Sequence, residues 1–508
     1  MNRVRRDPPV SHSPASPDDP PDPVLALEEV EATIDEAGTI RSGKLAGKGM
    51  WAAMWIVALP VLLQQFLGAL VGLVDKLIAG SLPAEIVVPA LDGIGIGSYV
   101  GWFISIAMTG LGVGAQAIIS RGMGSGRPEE SERALGQSMT FAVAWGALVG
   151  GLMWIAAEPL ARVADLTPAA IDCCRTYVRT IAISMPFCGL MMVGGMAMHG
   201  AGEATRPALI ALGVNAINVL FSWLLSGVDL RLFGTTVLHP FDLDPGRSGV
   251  FGIAAGTAIS YAFGGLATTW VLLRGVKDLR LKRADLAPDG VMGRRIVRIG
   301  IPNFLEGLAM WGVQLFVMLF IGISGRGEAG GLLGAHTICV QWEAFSFLPG
   351  FAMGTAAGTL AGQFLGAGNP RLARRAIWAC TLVGMAIMGS CGLVFMLAGA
   401  RLTAFISLEP VHLETVPRLL FACGSVQVFF ALAMVVRNGL RGVGDTTWIL
   451  WITVASCYGL RLPLAWYLGV HLGHGLVGIW WALSAELVVR GLLFLLRFLF
   501  GRWDRIAV

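Results

Sequence analysis

Four acidic residues lie inside apolar stretches of this 508-residue chain: Asp75, Glu306, Glu343 and Glu486. A charged side chain at the centre of a membrane helix costs about 2.5–3.5 kcal/mol on insertion scales, so such residues are rare and mark sites of function. Asp75, in the stretch GLVDKLIAG, could load and release a proton as its exposure changes. Alternatively it is an interfacial residue that pairs with Lys76 or with a nearby polar group, and spacing alone does not separate the two.

The other acids differ in the partners that the sequence offers them. Glu486 and Arg490 are four residues apart, which predicts an ion pair along one helix face. Glu306 and Glu343 have no such local partner. They are secondary candidates for a central cavity together with Gln64, or else hydroxyl and amide groups of neighbouring helices satisfy them.

Two asparagines and two prolines complete the candidate site. Asn215 and Asn218 could coordinate a cation or bind a carboxyl group, and they could equally bridge two helices. Pro60 and Pro302 fall inside apolar runs, where each removes a backbone hydrogen bond and permits a helix bend.

Motifs of several other function classes are missing from the sequence. It has no GxxxxGK[ST] nucleotide loop, no HExxH and no nucleophile elbow. Its eight cysteines form no CxxC frame, and a lone HxxH has no acidic partner, so we expect no metal, no cofactor and no catalytic residues. The net charge of +4 is small for this length and gives no reason to expect a nucleic-acid partner. The sequence therefore argues against an enzyme.

The composition indicates that membrane helices position these residues. The chain is 55% hydrophobic and 14% charged, against about 25% charged in soluble domains. From residue 51 onward, apolar runs of roughly 20 residues recur, and each is long enough to cross about 30 Å of hydrocarbon. They lack the two-residue alternation of a β-barrel. We therefore predict an all-α polytopic membrane protein with about twelve transmembrane helices, near 52–74, 91–120, 132–158, 171–199, 205–227, 249–274, 296–323, 334–364, 374–399, 415–442, 446–469 and 475–500.

The second half of the sequence repeats the first at one fixed spacing, which we call the repeat offset. ALPVLLQQF has Pro60 where GIPNFLEGL has Pro302, and 302 − 60 = 242. GMGSGRPEESERA and FLGAGNPRLARRA match at the same offset, as do HGAGEATRP and RGVGDTTWI. An even number of spans in each copy predicts two pseudo-symmetric six-helix bundles that are parallel repeats around a cleft, the geometry of alternating access.

Composition also divides the chain into segments. Residues 1–47 are Pro-rich and acidic and predict a disordered cytoplasmic tail. The N-terminal lobe is expected at 48–275, a basic cytoplasmic linker at 276–295 and the C-terminal lobe at 296–508. Basic residues near the span ends, Arg437 and Arg441 among them, favour one side, which predicts a multi-pass protein of the bacterial inner membrane with both termini cytoplasmic. The charges within the spans read as mainly acidic.

The motifs together resemble the multidrug and toxic compound extrusion (MATE) family of drug/cation antiporters. The resemblance covers nearly everything after residue 50 and rests on ALPVLLQQ, VDKLIAG, GLGVGAQAIISRGMGSG, GTAAGTLAGQFLGAGNPRLARRA, NGLRGVGDT and RLPLAWYLG. It implies two six-helix bundles facing each other in a V, and export of amphipathic small molecules in exchange for protons or possibly Na⁺. It further implies membrane lipid as the surrounding partner and a monomeric protein.

The resemblance also assigns roles to single residues. Asp75 stands where the family commonly has an acid implicated in proton coupling, Asn218 is similar to an Asn near that carboxyl, and Pro60 resembles a proline where the first helix of some relatives bends. Ser222 and Phe430 stand where some relatives have acidic residues, and this loss favours protons over sodium.

Two other functions remain open from the sequence. A lipid-linked saccharide flippase of the related superfamily would also use two facing bundles, and its relatives tend to have a cationic cavity for phosphates. The mainly acidic span charges and the count of about twelve spans argue against it. A membrane enzyme is weakened by the missing catalytic motifs.

Overall fold

A computed structural model describes residue 45 and residues 48–163, 167–232, 235–241, 243–276, 278–324 and 331–506. In these ranges the chain is helical apart from short connections and one hairpin of two antiparallel strands, β1 (Leu230–Leu232) and β2 (Thr235–Val237). The tail predicted at 1–47 lies outside the described residues except for Leu45, which is buried in an apolar cluster.

Seven α-helices of the described residues form the first half. Prolines at the first or second helical position begin several of them, where the missing N–H costs no hydrogen bond. Their bounds are α1 Met50–Gly80, α2 Ala84–Gly124, α3 Pro128–Val163, α4 Pro168–Ala182, α5 Met185–Gly200, α6 Thr205–Ser226 and α7 Pro245–Arg274.

In the described part of the second half there are eight α-helices, and two π-helical stretches, Cys457–Arg461 and Trp466–His471, flank the short α14. The bounds are α8 Gly290–Ser324, α9 Leu332–Gly366, α10 Pro370–Ile406, α11 Pro410–Ser425, α12 Gln427–Gly442, α13 Thr446–Ser456, α14 Leu462–Ala465 and α15 Gly475–Phe500.

Nine helical segments of the described residues are long and apolar enough to cross a membrane, and two bent pairs, α4 with α5 and α11 with α12, each make one more, which gives eleven of the twelve predicted spans. At the place of the last predicted span lies α15, whose 26 residues reach about 39 Å at 1.5 Å per residue. The all-helical membrane fold predicted from the sequence is confirmed.

The repeat is visible in the backbone as well as in the sequence. The two bent pairs span 168–200 and 410–442, so that both their ends are separated by the repeat offset, and their bends are 56° and 52°. Left-handed glycines recur at the same offset, since Gly126 and Gly368 have φ of 68° and 75°, and Gly202 and Gly444 have φ of 78° and 89°. A side chain is strained at such φ values, so both halves need glycine there.

The two halves touch each other near the ends of α2 and α9, which we call the linker side because the described linker residues 278–289 lie there. Arg121 Nη2 donates to the carbonyl oxygen of Val443 at 3.0 Å. Gln363, which the repeat offset makes the equivalent of Arg121, donates to the carbonyl oxygen of Gly200 at 3.1 Å. Each half therefore forms a hydrogen bond to the end of the bent pair of the other half. These contacts close the gap between the two halves on the linker side.

The linker itself is fixed to the first half. Lys282 Nζ lies 2.5 Å from a carboxylate oxygen of Glu132, and this hydrogen bond raises the pKa of Lys282 above its ordinary value. Gln137 donates to the carbonyl oxygen of Asp285 at 2.8 Å. Helix α8 begins at Gly290, inside the range 276–295 that the sequence assigned to the linker.

Candidate functional site

Asp75 lies in the first half near the end of α1, five residues before Gly80, and only 1% of its surface is exposed. The hydroxyl of Tyr177 donates to Asp75 Oδ2 at 2.7 Å. The hydroxyl of Thr257 lies 3.1 and 3.0 Å from the two carboxylate oxygens, and Asn218 Nδ2 lies 3.4 Å from Oδ1. Neutral donors from α4, α6 and α7 therefore surround the carboxyl group.

Close packing of α6 on α7 brings two of these donors together. A Cβ at Gly256 would lie 2.5 Å from Ser222 Cα, so only glycine permits this approach. Asn218, one turn before Ser222, then donates to the hydroxyl oxygen of Thr257 at 2.9 Å. The buried Oδ1 of Asn218 has no hydrogen-bond partner among the described residues.

Asp75 differs from the other buried acids by its lack of a cationic partner. Lys76 is exposed at the surface, so the alternative of a pair with Lys76 is not what the structure contains. Six acidic residues are buried in the described part of the chain, and five of them form ion pairs with Arg or Lys, namely Glu132, Glu203, Glu306, Asp445 and Glu486. The carboxyl of Asp75 can therefore gain or lose a proton without breaking an ion pair.

Asn215 lies one turn before Asn218 and is also buried. Its amide donates to the carbonyl oxygen of Ala211 at 2.9 Å, and its Oδ1 has no partner among the described residues. The structure thus brings Asn218 to Asp75, whereas the hydrogen bond described for Asn215 stays within its own helix.

Gln64 and Glu306 occupy equivalent positions of the two halves, separated by the repeat offset. Gln64 Oε1 lies 3.1 Å from Nε2 of His199, a neutral hydrogen bond. Glu306 instead forms ion pairs with Arg441, the equivalent of His199, and with Arg437 at 3.2 Å. Neither Gln64 nor Glu306 contacts Asp75 in the described interactions.

The expectation that charges within the spans are mainly acidic is wrong for the second half. Four arginines of its helices form ion pairs with the buried Glu306 and Glu486: Arg437, Arg441, Arg461 and Arg490. Arg437 and Arg441, which the sequence placed at a cytoplasmic helix end, belong to α12 and bind Glu306 from 131 and 135 residues away. Local spacing could not reveal partners on other helices.

The remaining glutamates belong to the same region. The predicted pair of Glu486 with Arg490 is present at 3.2 Å, and Arg461 adds a second pair to Glu486 at 2.5 Å. Glu343 is half-buried on α9 and lies close enough to Arg461 and Arg490 for their charges to interact.

Pro60 and Pro302 lie inside α1 and α8, each of which is one continuous helix, so the bends predicted there stay predictions. Beside Pro60, α1 and α9 line a shallow, open apolar pocket of about 410 Å³. Its lining is Leu59, Leu62, Leu63, Phe66, Phe345, Leu348 and Pro349.

Sequence reasoning missed Tyr177, Thr257 and His199. Their common signal is a hydrogen-bonding side chain within an apolar span, where a buried polar group needs a partner. Tyr177 is one of only five tyrosines in the chain, which could have drawn attention to it.

Comparison with known proteins agrees with this architecture. A probable multidrug resistance protein NorM of Thermotoga maritima is 24% identical over 458 residues, covering 89% of this chain and 93% of NorM. The multidrug resistance protein PmpM of Pseudomonas aeruginosa is 24% identical over 418 residues, covering 82% of this chain and 83% of PmpM. A crystal structure of MATE in the bent conformation has a TM-score of 0.78 and 17% identity, covering 94% of this chain and 96% of that chain.

The sequence model of the MatE family matches this chain twice, at residues 60–224 and at residues 302–467. The two matches begin at Pro60 and Pro302, which are separated by the repeat offset, and so coincide with the repeat seen in the sequence and in the backbone. Together they cover more than half of the chain. The protein therefore belongs to the MatE family, the multidrug and toxic compound extrusion transporters.

Proposed function

We propose that this multi-pass transporter exports amphipathic small molecules in exchange for inward-moving protons, and that Asp75 is the group that carries the proton. The single observation that supports this most is that Asp75 is buried among neutral donors, whereas the other buried acids are tied to arginine or lysine. A carboxyl group held by arginine stays ionised, because protonation would leave the arginine unpaired in a low dielectric.

The geometry suggests how protonation and transport are linked. An ionised Asp75 accepts hydrogen bonds from Tyr177 and Thr257, and a protonated one could donate to the unpartnered Oδ1 of Asn218 once that amide, whose Nδ2 faces Asp75 here, has turned over. The two states therefore favour different arrangements of α1, α6 and α7. A change in the packing of α1 reaches the other half directly, since α1 also lines the apolar pocket with α9.

The same proposal includes the orientation and the domains. The proposed orientation has the linker side in the cytoplasm, which its basic residues favour, with both termini on that side of a bacterial inner membrane and the lobes at 48–275 and 296–508. With the linker side closed by the contacts of Arg121 and Gln363, Asp75 near the opposite end of α1 is poised to receive a proton from outside.

The energy available from one proton is sufficient for export. A charge that moves through 100 mV releases about 2.3 kcal/mol, and each tenfold substrate gradient costs about 1.4 kcal/mol. One proton per cycle can therefore sustain a gradient of more than tenfold.

Reconstitution tests the proposal. The full chain in proteoliposomes should export a panel of amphipathic dyes when a pH gradient alone is imposed, and a sodium gradient alone should give no export. A strict requirement for sodium would refute proton coupling. The absence of export of any dye under either gradient would refute an exporter of such molecules.

The lipid-linked saccharide flippase is retained as the second candidate because of one observation, the arginines inside the second half. A flippase would move fluorescent anionic glycolipids between leaflets without exporting dyes. Scrambling of such lipids at a rate that exceeds dye export would favour it.

A further inference from the structure

The arginines of the second half join into one connected cluster, which we call the arginine cluster. Its cations are Arg437, Arg441, Arg461 and Arg490. Its acids are Glu306, Glu343 and Glu486. Met310 of α8 connects the two parts, because its sulfur lies 3.5 Å from Nη1 of Arg437 and 3.9 Å from Nη1 of Arg490.

The charges of the arginine cluster do not balance. Four guanidinium groups stand against three carboxyl groups, so at least one positive charge remains without a counter-ion. A guanidinium group cannot give up its proton in a protein. An uncompensated charge inside a membrane protein is costly, so this excess favours the binding of an anion.

Several of its hydrogen-bond donors are also unused. The Nε atoms of Arg437 and Arg441 are buried and have no partner among the described residues. Arg490 Nη1 contacts only the sulfur atoms of Met310 and Cys457, and Arg437 Nη1, which also binds Glu306, has the Met310 sulfur as its second partner; sulfur is only a weak acceptor. A carboxylate or phosphate bound between these two guanidinium groups would accept charge-assisted hydrogen bonds from both.

The members of the cluster differ in exposure. Glu306 and Glu486 are fully buried. Met310, Arg437 and Arg461 are partly exposed. An acidic group that approaches from the exposed side therefore meets these two arginines before it meets Glu306 or Glu486.

The first half has no counterpart of this cluster. The position equivalent to Arg437 is Gly195, and the one equivalent to Arg441 is His199, which forms a neutral hydrogen bond with Gln64. The excess cation therefore belongs to the second half alone and is not a requirement of the repeated fold.

We propose that the arginine cluster binds an acidic group of the transported molecule, so that the preferred substrates are amphiphiles with a carboxylate or phosphate. This proposal specifies the substrate class of the proposed export function, and it rests on that function because only a transporter has a substrate to export. The anion can come from a soluble molecule or from a lipid headgroup, and the experiment distinguishes these two sources.

The test is equilibrium binding to the purified full chain in detergent, which needs no gradient. The probes are a xanthylium dye with a free benzoate and the methyl ester of the same dye, which differ in one negative charge. The wild-type protein should bind the acid about tenfold more tightly than the ester. Equal affinity for the two dyes would overturn the proposal.

Variants with opposite effects on charge sharpen the test. Arg437→Gln leaves Arg441 to pair with Glu306 and removes the excess charge, so it should abolish the preference for the acid. Glu343→Gln increases the excess and should strengthen binding of the acid. A purely structural role would not give shifts of opposite sign, and shifts of equal sign or equal loss of both dyes would contradict the anion site.

Control variants separate charge from geometry. Arg437→Lys keeps the charge and should retain part of the preference. Arg418→Gln, at an exposed arginine paired with Glu414, should bind both dyes as the wild type does. An equal effect of Arg418→Gln and Arg437→Gln would contradict a local site.

Competition identifies the source of the anion. If phosphatidylglycerol displaces the acid dye and benzoate does not, the anion site is supported and its occupant is a lipid headgroup. If benzoate displaces the dye and phosphatidylglycerol does not, the site is supported and its occupant is a soluble acid. Displacement by neither contradicts the site. If pH-driven export fails while the preference for the acid persists, the proton coupling is wrong and the anion site stands.

Discussion

Gln64 and Glu306 occupy the same position in the two halves of the chain, yet Gln64 is hydrogen-bonded to one histidine and Glu306 is bound by two arginines. The halves have therefore kept one backbone and diverged in charge. The first half contains an acid without an ionic partner, Asp75, and the second half contains permanent cations. Under the proposed mechanism the first half carries the proton and the second half recognises the substrate.

The unequal partners predict unequal effects on stability. Glu306→Gln leaves Arg437 and Arg441 without a counter-charge and should lower the free energy of unfolding by roughly 3–5 kcal/mol. Gln64→Ala removes one neutral hydrogen bond and should cost about 1 kcal/mol. Thermal unfolding in detergent, followed by tryptophan fluorescence, compares the two. Equal losses would show that the arginines do not depend on Glu306.

Closure on the linker side predicts a second effect. An added methyl group at Gly366 would collide with the backbone of Arg121 in the other half. Gly366→Ala should therefore favour a state open on the linker side, with faster hydrogen exchange of the amides at 120–126 and slower export. Gly151→Ala is the matched control, because a Cβ there meets nothing within 4 Å. Unchanged exchange in Gly366→Ala would mean that this contact does not hold the halves together.

Much of the fold was predictable, because hydrophobic runs and the repeat offset are properties of the sequence itself. Asp75 was identifiable as a candidate for the same reason, since an acid inside an apolar run is rare, while its hydrogen-bond partners were not. Tyr177 and Thr257 were not, because their contact with Asp75 spans 102 and 182 residues. The spacing of residues along one helix does not predict which faces of α1, α4, α6 and α7 pack together.

The arginine cluster shows a different limit. Arg437 and Arg441 are near the end of an apolar run, where a count of basic residues assigns them to the membrane surface. In the structure α12 begins at Gln427 after a bend, so both arginines belong to the helix and face Glu306. The bend before α12 contributes to their buried environment, and the sequence around Val426 contains no proline that would have predicted a bend there.

The hydrogen bond from Tyr177 to Asp75 predicts a functional loss without unfolding. Tyr177→Phe removes the shortest contact of the carboxyl group and leaves Thr257 and Asn218 in place. A hydrogen bond to a charged group is worth about 1.5–3 kcal/mol, so pH-driven export should slow by about tenfold or more.

The control is Tyr467→Phe, an exposed tyrosine that stacks on His471 in the second half. It should export at the wild-type rate. Wild-type rates in both variants would remove Tyr177 from the coupling site, and unfolding of Tyr177→Phe in size-exclusion chromatography would reassign it to stability.

The most direct test of the central claim is uphill export by Asp75→Asn in proteoliposomes with an imposed pH gradient. Asn cannot carry a proton, so the variant should show no accumulation driven by the gradient while it still binds the ester dye with an affinity close to that of the wild type. Asp172→Asn, at an exposed acid paired with Arg175, should accumulate dye normally. Gradient-driven export by Asp75→Asn at the wild-type rate would contradict Asp75 as the proton carrier.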